Sequence, residues 1–422
     1  MQNKEKKIFV YFDSYELLFL GLLRSAIVRG KEVFSFNASE EYVKNEAFRF
    51  LDPDLGQFSG SQYLRSEKAN FGVFLDSAPD RWGRLLLRRR EAILSKKEKR
   101  QEKTLLESDY LLGVFDKNRM GALRFKTQPN GIFLDDNTDL AAPPITELKR
   151  LEESSLMFEN EKSANEKWLQ MLVAPGSSLG GSRPKANVID KKGNLWIAKF
   201  PSKLDDIDKG AWEAVVCRLA QMCGIAVNDF SIKKCNSKYH TFLTLRFDRR
   251  CKMRIHMASA MTMLGYSDGN TENANWLELA DFIIKHSDRT DSDLEELWRR
   301  LVFSIAISNS DCHLRNHSFI LNKNKIWNLS PAYDMNPDPD ATGLALNVNE
   351  NNNSLDFDLA LDVAPFFRVN MQKAKEILRL VKKTVAKWEQ IAAEFRIPKK
   401  EWGKMERAFK LTPSTPRTGS SQ

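Results

Sequence analysis

The chain has 422 residues, 42% of them hydrophobic, and 65 basic against 56 acidic residues give it a net charge of +9. This apolar content excludes a disordered or collagen-like chain, and the length predicts two or three domains. No apolar run approaches the roughly 20 residues of a membrane span, and no apolar signal core follows the start. Five cysteines without a CxxC pair agree with reduced thiols, so we expect a cytoplasmic protein.

The first third of the chain is predicted to be mixed α/β, beginning with a strand over residues 8–12. A predicted helix follows at 81–103, where ten basic and three acidic residues give a local charge of +7. Such a basic stripe is more often a solvated helix face than a nucleic-acid footprint, and both interpretations stay open. Breaker residues at 128–144 predict a domain boundary. Near the end, 371–395 is predicted to form one long helix.

The stretch 175–185 combines glycines with small hydroxyl residues, which lets backbone amides approach an anion closely. It is not a Walker A loop, because no Gly-Lys-Ser/Thr ends it and Pro184 follows. A predicted hairpin comes next, with strands at 186–190 and 195–200. The period of two places Lys199 on an otherwise apolar strand face. Such a hairpin, with its glycine loop and inward lysine, is suited to covering a phosphate.

An amphipathic helix is predicted at 211–222. Glu213 lies at the edge of its apolar stripe, where the carboxylate could either pair with Lys199 or remain a solvated helix residue. The pairing would hold the lysine ammonium toward a phosphate.

The strongest signal follows a predicted buried helix and combines two loops, at 308–316 and 327–334. Asp311 and Asn316 have the spacing of base and metal ligand in the protein-kinase catalytic loop, and Asp334 stands where that template places a second metal-binding carboxylate. Phosphoryl transfer needs a base, hard oxygen ligands for Mg²⁺ and a cation on the phosphates. Asp311, the Asn316–Asp334 pair and Lys199 would supply these parts.

Two other chemistries are alternatives for the same segment. Cys312, His313 and His317 could suggest a transition-metal site, but three ligands so crowded rarely complete a tetrahedral shell. A Ser-His-Asp hydrolase is not indicated, because the Gly-x-Ser-x-Gly elbow is absent. His313 is interpreted as a residue that shapes the loop.

Taken together, these motifs resemble the HipA family of serine/threonine kinase toxins. The resemblance covers about residues 70–395, and five motifs occur in the family's order. They are the ATP loop SLGGSRPK at 178–185, the lysine strand IAKFP at 197–201, the hinge LRFDRR at 245–250, the catalytic loop NSDCHLRN at 309–316 and the metal loop LSPAYD at 329–334.

The fold that this resemblance implies is α+β and two-lobed, protein-kinase-like and distantly lipid-kinase-like. We expect an N-terminal α/β subdomain at 1–145 and a small ATP-binding lobe at 146–245. A mostly helical catalytic lobe at 246–410 and a flexible tail at 411–422 would follow.

The resemblance also implies roles for individual residues. Asp311 would be the general base, Lys199 would hold the phosphates, Asn316 and Asp334 would bind Mg²⁺, Asp248 would sit near the ribose, and Ser178 would be autophosphorylated. The residues implied to contact ATP are Ser178, Leu179, Gly180, Gly181, Ser182, Lys199, Leu245, Phe247, Asp248, His313, Asn316 and Asp334.

The function implied is an ATP- and Mg²⁺-dependent serine/threonine protein kinase that phosphorylates a translation component, such as an aminoacyl-tRNA synthetase, and arrests growth. Its partners would be a helix-turn-helix, HipB-like antitoxin and, through it, operator DNA, with no membrane. The alternatives are a DNA-associated corepressor with weak or vestigial kinase activity and a small-molecule or lipid kinase.

Two residues depart from the family pattern. Cys312 stands where the catalytic loop usually has glycine, which places a bulkier residue at a tight turn. Leu245 stands where the hinge often has an acidic residue, so contact with adenine would rest on backbone groups.

Overall fold

The structure is a computed structural model that describes residues 5–45, 48, 50–64, 68–134, 142–160, 172, 183–251 and 253–409. Within these ranges the strands form four sheets. In chain order the strands are β1 Lys6–Asp13, β2 Leu17–Val28, β3 Lys31–Ala38, β4 Ser61–Tyr63, β5 Leu123–Lys126, β6 Lys185–Ile189, β7 Leu195–Lys199, β8 Phe230–Lys234, β9 His240–Leu245, β10 Arg249–Arg250, β11 Met253–Arg254, β12 Met257–Ser259, β13 Ser318–Leu321 and β14 Trp327–Leu329. The α-helices are Glu40–Lys44, Gly72–Asp76, Arg81–Lys97, Glu107–Leu112, Leu148–Glu159, Lys209–Met222, Ala260–Met263, Trp276–His286, Thr290–Ala306, Phe357–Val363, Met371–Val385, Trp388–Glu394 and Lys399–Met405.

The first sheet is antiparallel and has the order β4-β3-β2-β1-β5. Strand β1 contains the predicted opening strand, and its alternation buries Ile8, Val10 and Phe12. Aromatic rings fill the core beneath the sheet, where the Phe36 and Phe74 ring centroids lie 5.9 Å apart. The sheet therefore has a hydrophobic core of its own.

This N-terminal part packs against strands β12 and β14 through polar contacts. Asp76 accepts hydrogen bonds from the amide of Ser259 at 2.7 Å and from its hydroxyl at 2.8 Å. The indole Nε1 of Trp327 donates to the carbonyl of Phe50 at 2.8 Å. These contacts hold the N-terminal part of the chain beside β12 and β14.

The second main sheet has the order β6-β7-β9-β8 and is also antiparallel. Strands β6 and β7 form the predicted hairpin. Leu195, Ile197 and Lys199 are buried on one face of β7, as the strand period predicts. The helix Lys209–Met222 packs against β9 and buries Trp212 in the core. This sheet and helix place Lys199 in the interior.

The third sheet, β12-β13-β14, supports both loops that the sequence singles out. The first loop leaves the helix Thr290–Ala306 and enters β13, and the second follows β14. Because β13 and β14 form an antiparallel hairpin, the start of one and the end of the other lie at the same edge. The hairpin therefore brings the two loops together.

The prediction of one helix over 371–395 is wrong. The chain forms two helices, Met371–Val385 and Trp388–Glu394, which are separated at Ala386 and Lys387. The break lets the Trp388 ring stack on Phe409, with the ring centroids 5.0 Å apart. Tertiary packing of the indole therefore overrides the local helical pattern.

Among the described residues, none of the helices is both long and apolar enough to span a bilayer. The domain limits at 145, 245 and 410 remain predictions.

Candidate active site

Lys199 is the last residue of β7, and its ammonium group lies between two carboxylates. Its Nζ is 2.6 Å from Oε1 of Glu213 and 2.6 Å from Oδ1 of Asp334. Burial alone would lower the pKa of Lys199, but these two carboxylates raise it, so the lysine is charged at neutral pH. The possible pairing with Glu213 is confirmed, and Asp334 is a second partner from a distant loop.

The loop from Ser308 to Asn316 is held by bonds within itself. Ser308 has a φ of +50°, which turns the chain sharply after the preceding helix. The amide of Asn316 donates to the carbonyl of His313 at 2.8 Å, and its side-chain Nδ2 donates to the carbonyl of Asp311 at 2.7 Å. Because the loop bonds use the main chain of Asp311, its carboxylate remains open, and the side chain is 64% exposed.

The carboxylate of Asp311 lies in a field of both signs. Partial desolvation and the negative charges of Asp334 and Asp338 raise its pKa, while His313 and Lys199 oppose the rise. The Nε2 of His313 is 3.5 Å from Oδ1 of Asp311. Solvent screens these effects because the side chain is mostly exposed. The direction of the shift suits a general base, which works best when its pKa approaches the working pH.

Asn316 and Asp334 present oxygen atoms suited to a hard cation. The Oδ1 of Asn316 is buried and has no hydrogen-bond partner, while Nδ2 of the same side chain donates to the Asp311 carbonyl. Asp334 has a φ of +56°, an uncommon backbone conformation for a non-glycine residue. Burial would raise the pKa of Asp334, but Lys199 and Lys185 lower it, so the carboxylate is ionised. One carboxylate and one amide oxygen fit Mg²⁺, which usually takes few protein ligands and adds phosphate oxygens.

The transition-metal interpretation of Cys312, His313 and His317 gains no support. Across the described ranges, no group of three or more His, Cys, Asp or Glu side chains is arranged to hold a metal ion. Burial lowers the pKa of His317 to about 3. Its ring packs edge-on against Trp276, with centroids 4.7 Å apart. His317 therefore belongs to the core.

Cys312 fits the catalytic loop without backbone strain. Its side chain is 2% exposed, and it is not among the residues with positive φ. Burial raises the pKa of its thiol to about 11, against the opposing effect of the backbone amides of Leu346 and Ala345. Because the loop places its positive φ at Ser308, a cysteine can replace the family's glycine at position 312.

The hinge begins at Leu245, the last residue of β9. The amide of Leu245 donates to the carbonyl of Asp229 at 2.8 Å, and the amide of Arg246 donates to the carbonyl of Leu195 at 3.0 Å. Phe247 is half-buried, and its ring lies 5.5 Å from the ring of Tyr333. The hinge thus touches the residue that precedes Asp334.

The structure corrects the expectation for Asp248. The carboxylate is fully buried, and it accepts hydrogen bonds from the Gly121 amide at 2.8 Å, from Arg246 at 2.7 and 2.8 Å and from Arg249 at 2.6 Å. Burial would raise its pKa, but the two arginines lower it to about 2. Asp248 therefore joins the hinge to the N-terminal part of the chain and offers no exposed oxygen to a ribose.

The predicted ATP-loop residues Ser178, Leu179, Gly180, Gly181 and Ser182 lie outside the described residues. The chain is described again from Arg183, whose guanidinium holds Asp205 by two bonds of 2.9 and 2.7 Å. Two positions later, the Nζ of Lys185 lies 2.9 Å from Oδ2 of Asp80.

Sequence reasoning missed Asp338. Its carboxylate accepts a hydrogen bond from the hydroxyl of Ser310, the residue before Asp311. Asp338 thereby ties the segment after Asp334 to the catalytic loop. An acidic residue four positions after Asp334 was the available signal, but nothing local indicated its partner.

Comparison with known proteins gives a family for this site. The model of the HipA-like C-terminal domain matches residues 177–388, half of the chain and the segment that carries every site residue described above. The chain belongs to the HipA-like C-terminal domain family.

A candidate kinase of Haemophilus influenzae is 26% identical over 180 residues, which are 38% of this chain and 52% of that protein. The candidate kinase Y4dM of Sinorhizobium fredii is 26% identical over 191 residues, which are 42% of this chain and 41% of its own. The chain thus spans about half the length of the curated relatives it matches.

A solved structure shows the same fold over nearly the whole chain. HipA of Shewanella oneidensis MR-1, from a complex of the toxin–antitoxin proteins HipA and HipB with operator DNA, superposes with a TM-score of 0.65. The match covers 95% of both chains at 16% identity. The fold is therefore that of HipA, a mixed α/β and kinase-like fold, as the resemblance implies.

Proposed function

We propose that this protein is an ATP- and Mg²⁺-dependent serine/threonine protein kinase of the HipA toxin type. The observation that carries the proposal is the contact of Lys199 with Asp334, beside the open carboxylate of Asp311. These residues come from separate elements of a kinase-like fold, and each supplies a group that phosphoryl transfer requires. Relatives named as candidate kinases support the same reaction class.

Asp311 acts as the general base in this proposal. Its carboxylate accepts the proton of the substrate hydroxyl while that oxygen attacks the γ-phosphorus and the bond to the β-phosphate oxygen breaks. The hydrogen bond from Asn316 to the Asp311 carbonyl holds the loop without occupying the carboxylate. Lys199, fixed by Glu213, directs its positive charge toward the phosphates.

Asn316 and Asp334 would hold the metal ion. Bound there, Mg²⁺ would neutralise charge on the phosphate oxygens during transfer. The buried and unpartnered Oδ1 of Asn316 supports this assignment, because such an oxygen is costly to leave unpaired.

The nucleotide would lie between the loop at 178–182 and the hinge. Leu245 and Phe247 would border the adenine, and His313 would lie near the phosphates beside Asp311. Asp248 is no longer part of this set, since its oxygens are bound within the protein.

The proposal includes control by a partner and by autophosphorylation. A HipB-like antitoxin, with operator DNA bound through it, is supported by the complex of the Shewanella HipA. The substrate would be a component of translation. A phosphate on Ser178 would add about −1.5 to −2 charges where the ATP phosphates must bind, which would silence the enzyme.

The direct test combines labelled ATP, Mg²⁺ and a cell lysate. The wild-type chain is expected to label a discrete protein, and Asp311→Asn should lower the rate by about 10²–10⁴-fold because the base is lost. Asp281→Asn removes a remote carboxylate that is 57% exposed and serves as the matched control. Equal labelling by Asp311→Asn and the wild type would contradict the proposal.

The corepressor alternative gains nothing specific from the basic helix Arg81–Lys97. Several of the cations in and after this helix are bound to acids, among them Arg84 to Glu107 at 2.6 Å and Arg100 to Glu91 at 2.5 Å. Such pairs reduce the charge that remains for phosphates of DNA.

A further inference from the structure

A cleft of about 810 Å³ opens beside the catalytic loop, between the N-terminal part of the chain and β12. Its lining includes Asp311 and His313 as well as Arg81 and Arg84 at the start of the helix Arg81–Lys97. Its volume is within the range of roughly 300–1,000 Å³ that is typical of ligand sites. The cleft therefore brings Asp311 and the first turn of this helix to one space.

Most charges along this cleft are already paired. Glu107 receives two hydrogen bonds from Arg84, at 2.6 and 2.7 Å, and Asp268 receives two from Arg315, at 3.0 and 2.8 Å. Bidentate pairs of this kind hold both partners in place. These pairs form a wall without strong charge preference of its own.

The remaining acids of the wall are also engaged. Asp76 is held by Ser259, and Asp80 lies 2.9 Å from Lys185 while its other oxygen accepts the Gly83 amide at 2.8 Å. Asp311 is thus the one acid of the lining whose carboxylate accepts no hydrogen bond within the described residues, although Nε2 of His313 lies 3.5 Å from its Oδ1.

Arg81 is the corresponding free cation. It is exposed at the first turn of its helix, and its guanidinium makes no ion pair or hydrogen bond with the described residues. Its charge still reaches Asp268: desolvation would raise the pKa of that acid, but Arg315 and Arg81 lower it. Arg81 therefore faces the same space as the Arg315–Asp268 pair and has no carboxylate of its own.

We propose that this cleft receives the acceptor polypeptide of the kinase as an extended segment, and that Arg81 selects an acidic residue close to the acceptor hydroxyl. The inference rests on the proposed function, since Asp311 must be the base. The acceptor hydroxyl of the substrate would lie at Asp311. An acidic side chain of the substrate would form an ion pair with Arg81, whose guanidinium is the only unpaired one among the described residues that line the cleft.

The probe is a set of synthetic nonapeptides of glycine and alanine with one central serine. Aspartate, alanine or lysine is placed in turn at each of the three positions on either side. With wild-type protein, ATP and Mg²⁺, aspartate at one or two adjacent positions should raise kcat/KM about five- to tenfold over alanine, and lysine should lower it.

Arg81→Glu should reverse this order, so that lysine exceeds aspartate at the same positions. A glutamate at the first turn is favourable to the helix dipole, so the variant keeps its helix. Arg88→Glu is the matched control, because Arg88 is exposed seven residues further along the same helix face and does not line the cleft. It should keep the wild-type order.

A wild-type kinase without a charge preference, or an Arg81→Glu variant that keeps the aspartate preference, would overturn the proposal. If no peptide is phosphorylated while the wild type labels itself or a lysate protein, the acceptor-segment inference fails and the kinase remains. If no labelling of any kind occurs, the proposed function itself fails.

Discussion

The ammonium of Lys199 lies 2.6 Å from the carboxylate of Asp334, although the two residues are 135 positions apart in the chain. The contact joins the sheet β6-β7-β9-β8 to the loop after β14. Glu213 holds the same ammonium from the other side at 2.6 Å. A buried group of one cation and two anions is therefore both a stabilising contact between parts of the fold and the centre of the proposed active site.

Replacing Lys199 should reveal this double role. Lys199→Met leaves Glu213 buried without a cation, and breaking a buried pair costs about 3–5 kcal/mol of unfolding free energy. The double variant Lys199→Met/Glu213→Gln should recover part of the loss, because the buried charge is removed with its partner. Urea unfolding measures both effects. Lys192→Met, in the exposed hairpin turn, should change stability by no more than about 0.5 kcal/mol.

The role of Asp248 can be separated from nucleotide binding. Asp248→Asn weakens the contacts of two buried arginines and should lower the free energy of unfolding by about 3–5 kcal/mol. The ratio of affinities for ATP and 2′-deoxy-ATP should stay at the wild-type value, because the carboxylate does not reach the nucleotide. Isothermal titration with both nucleotides measures the ratio, and a ratio that collapses toward one would restore the ribose contact.

Acid should destabilise the protein through His256. Burial lowers the pKa of this histidine from 6.5 to about 3. Between these pH values His256 is therefore protonated in the unfolded chain and neutral in the folded chain. Stability is therefore intact above about pH 6.5 and falls by about 1.4 kcal/mol per pH unit as the pH drops toward 3.

In His256→Leu the unfolding free energy should fall less steeply with decreasing pH than in the wild type. Urea unfolding at several pH values measures this slope. His286→Leu, at a half-buried histidine, is the comparison variant. An unchanged slope in His256→Leu would show that the ring is protonated in the folded state.

Alkylation should distinguish the cysteines by burial. Cys251 is exposed and should react with iodoacetamide in the folded protein, while Cys312 and Cys223 should not. Burial raises the pKa of both protected thiols to about 11, so little thiolate is present at neutral pH. Peptide mass spectrometry before and after denaturation provides the measurement. Early modification of Cys312 would contradict the closed catalytic loop.

Local patterns were sufficient where partners are close in sequence. The hairpin of β6 and β7 follows from the strand period, and the strand and helix periods made the pairing of Lys199 with Glu213 one of two open possibilities. The contact of Asp334 with Lys199 could be expected only from the family resemblance. Hydrophobic periodicity describes single helices and strands, so it cannot predict a contact between a strand and a loop 135 positions away.

Other features depend on the assembled fold. The sequence led us to expect Asp248 near the ribose, and nothing local indicated its bond to the Gly121 amide, 127 positions away. The helix break before Trp388 has no glycine or proline to mark it, and the stacking of the indole on Phe409 is a contact that no local pattern indicates. The charge pairs that leave Arg81 free likewise depend on segments brought together by folding.

The hairpin β13–β14 has one further consequence for experiments. Both catalytic loops emerge at one edge of it, so its turn between Lys323 and Asn324 points to the opposite edge. Additional residues inserted at that turn would extend away from the chemistry. A short peptide tag or a fluorophore attached there gives a handle for following the working protein, whereas one joined near Tyr333 would disturb the loop contacts that hold Asp334.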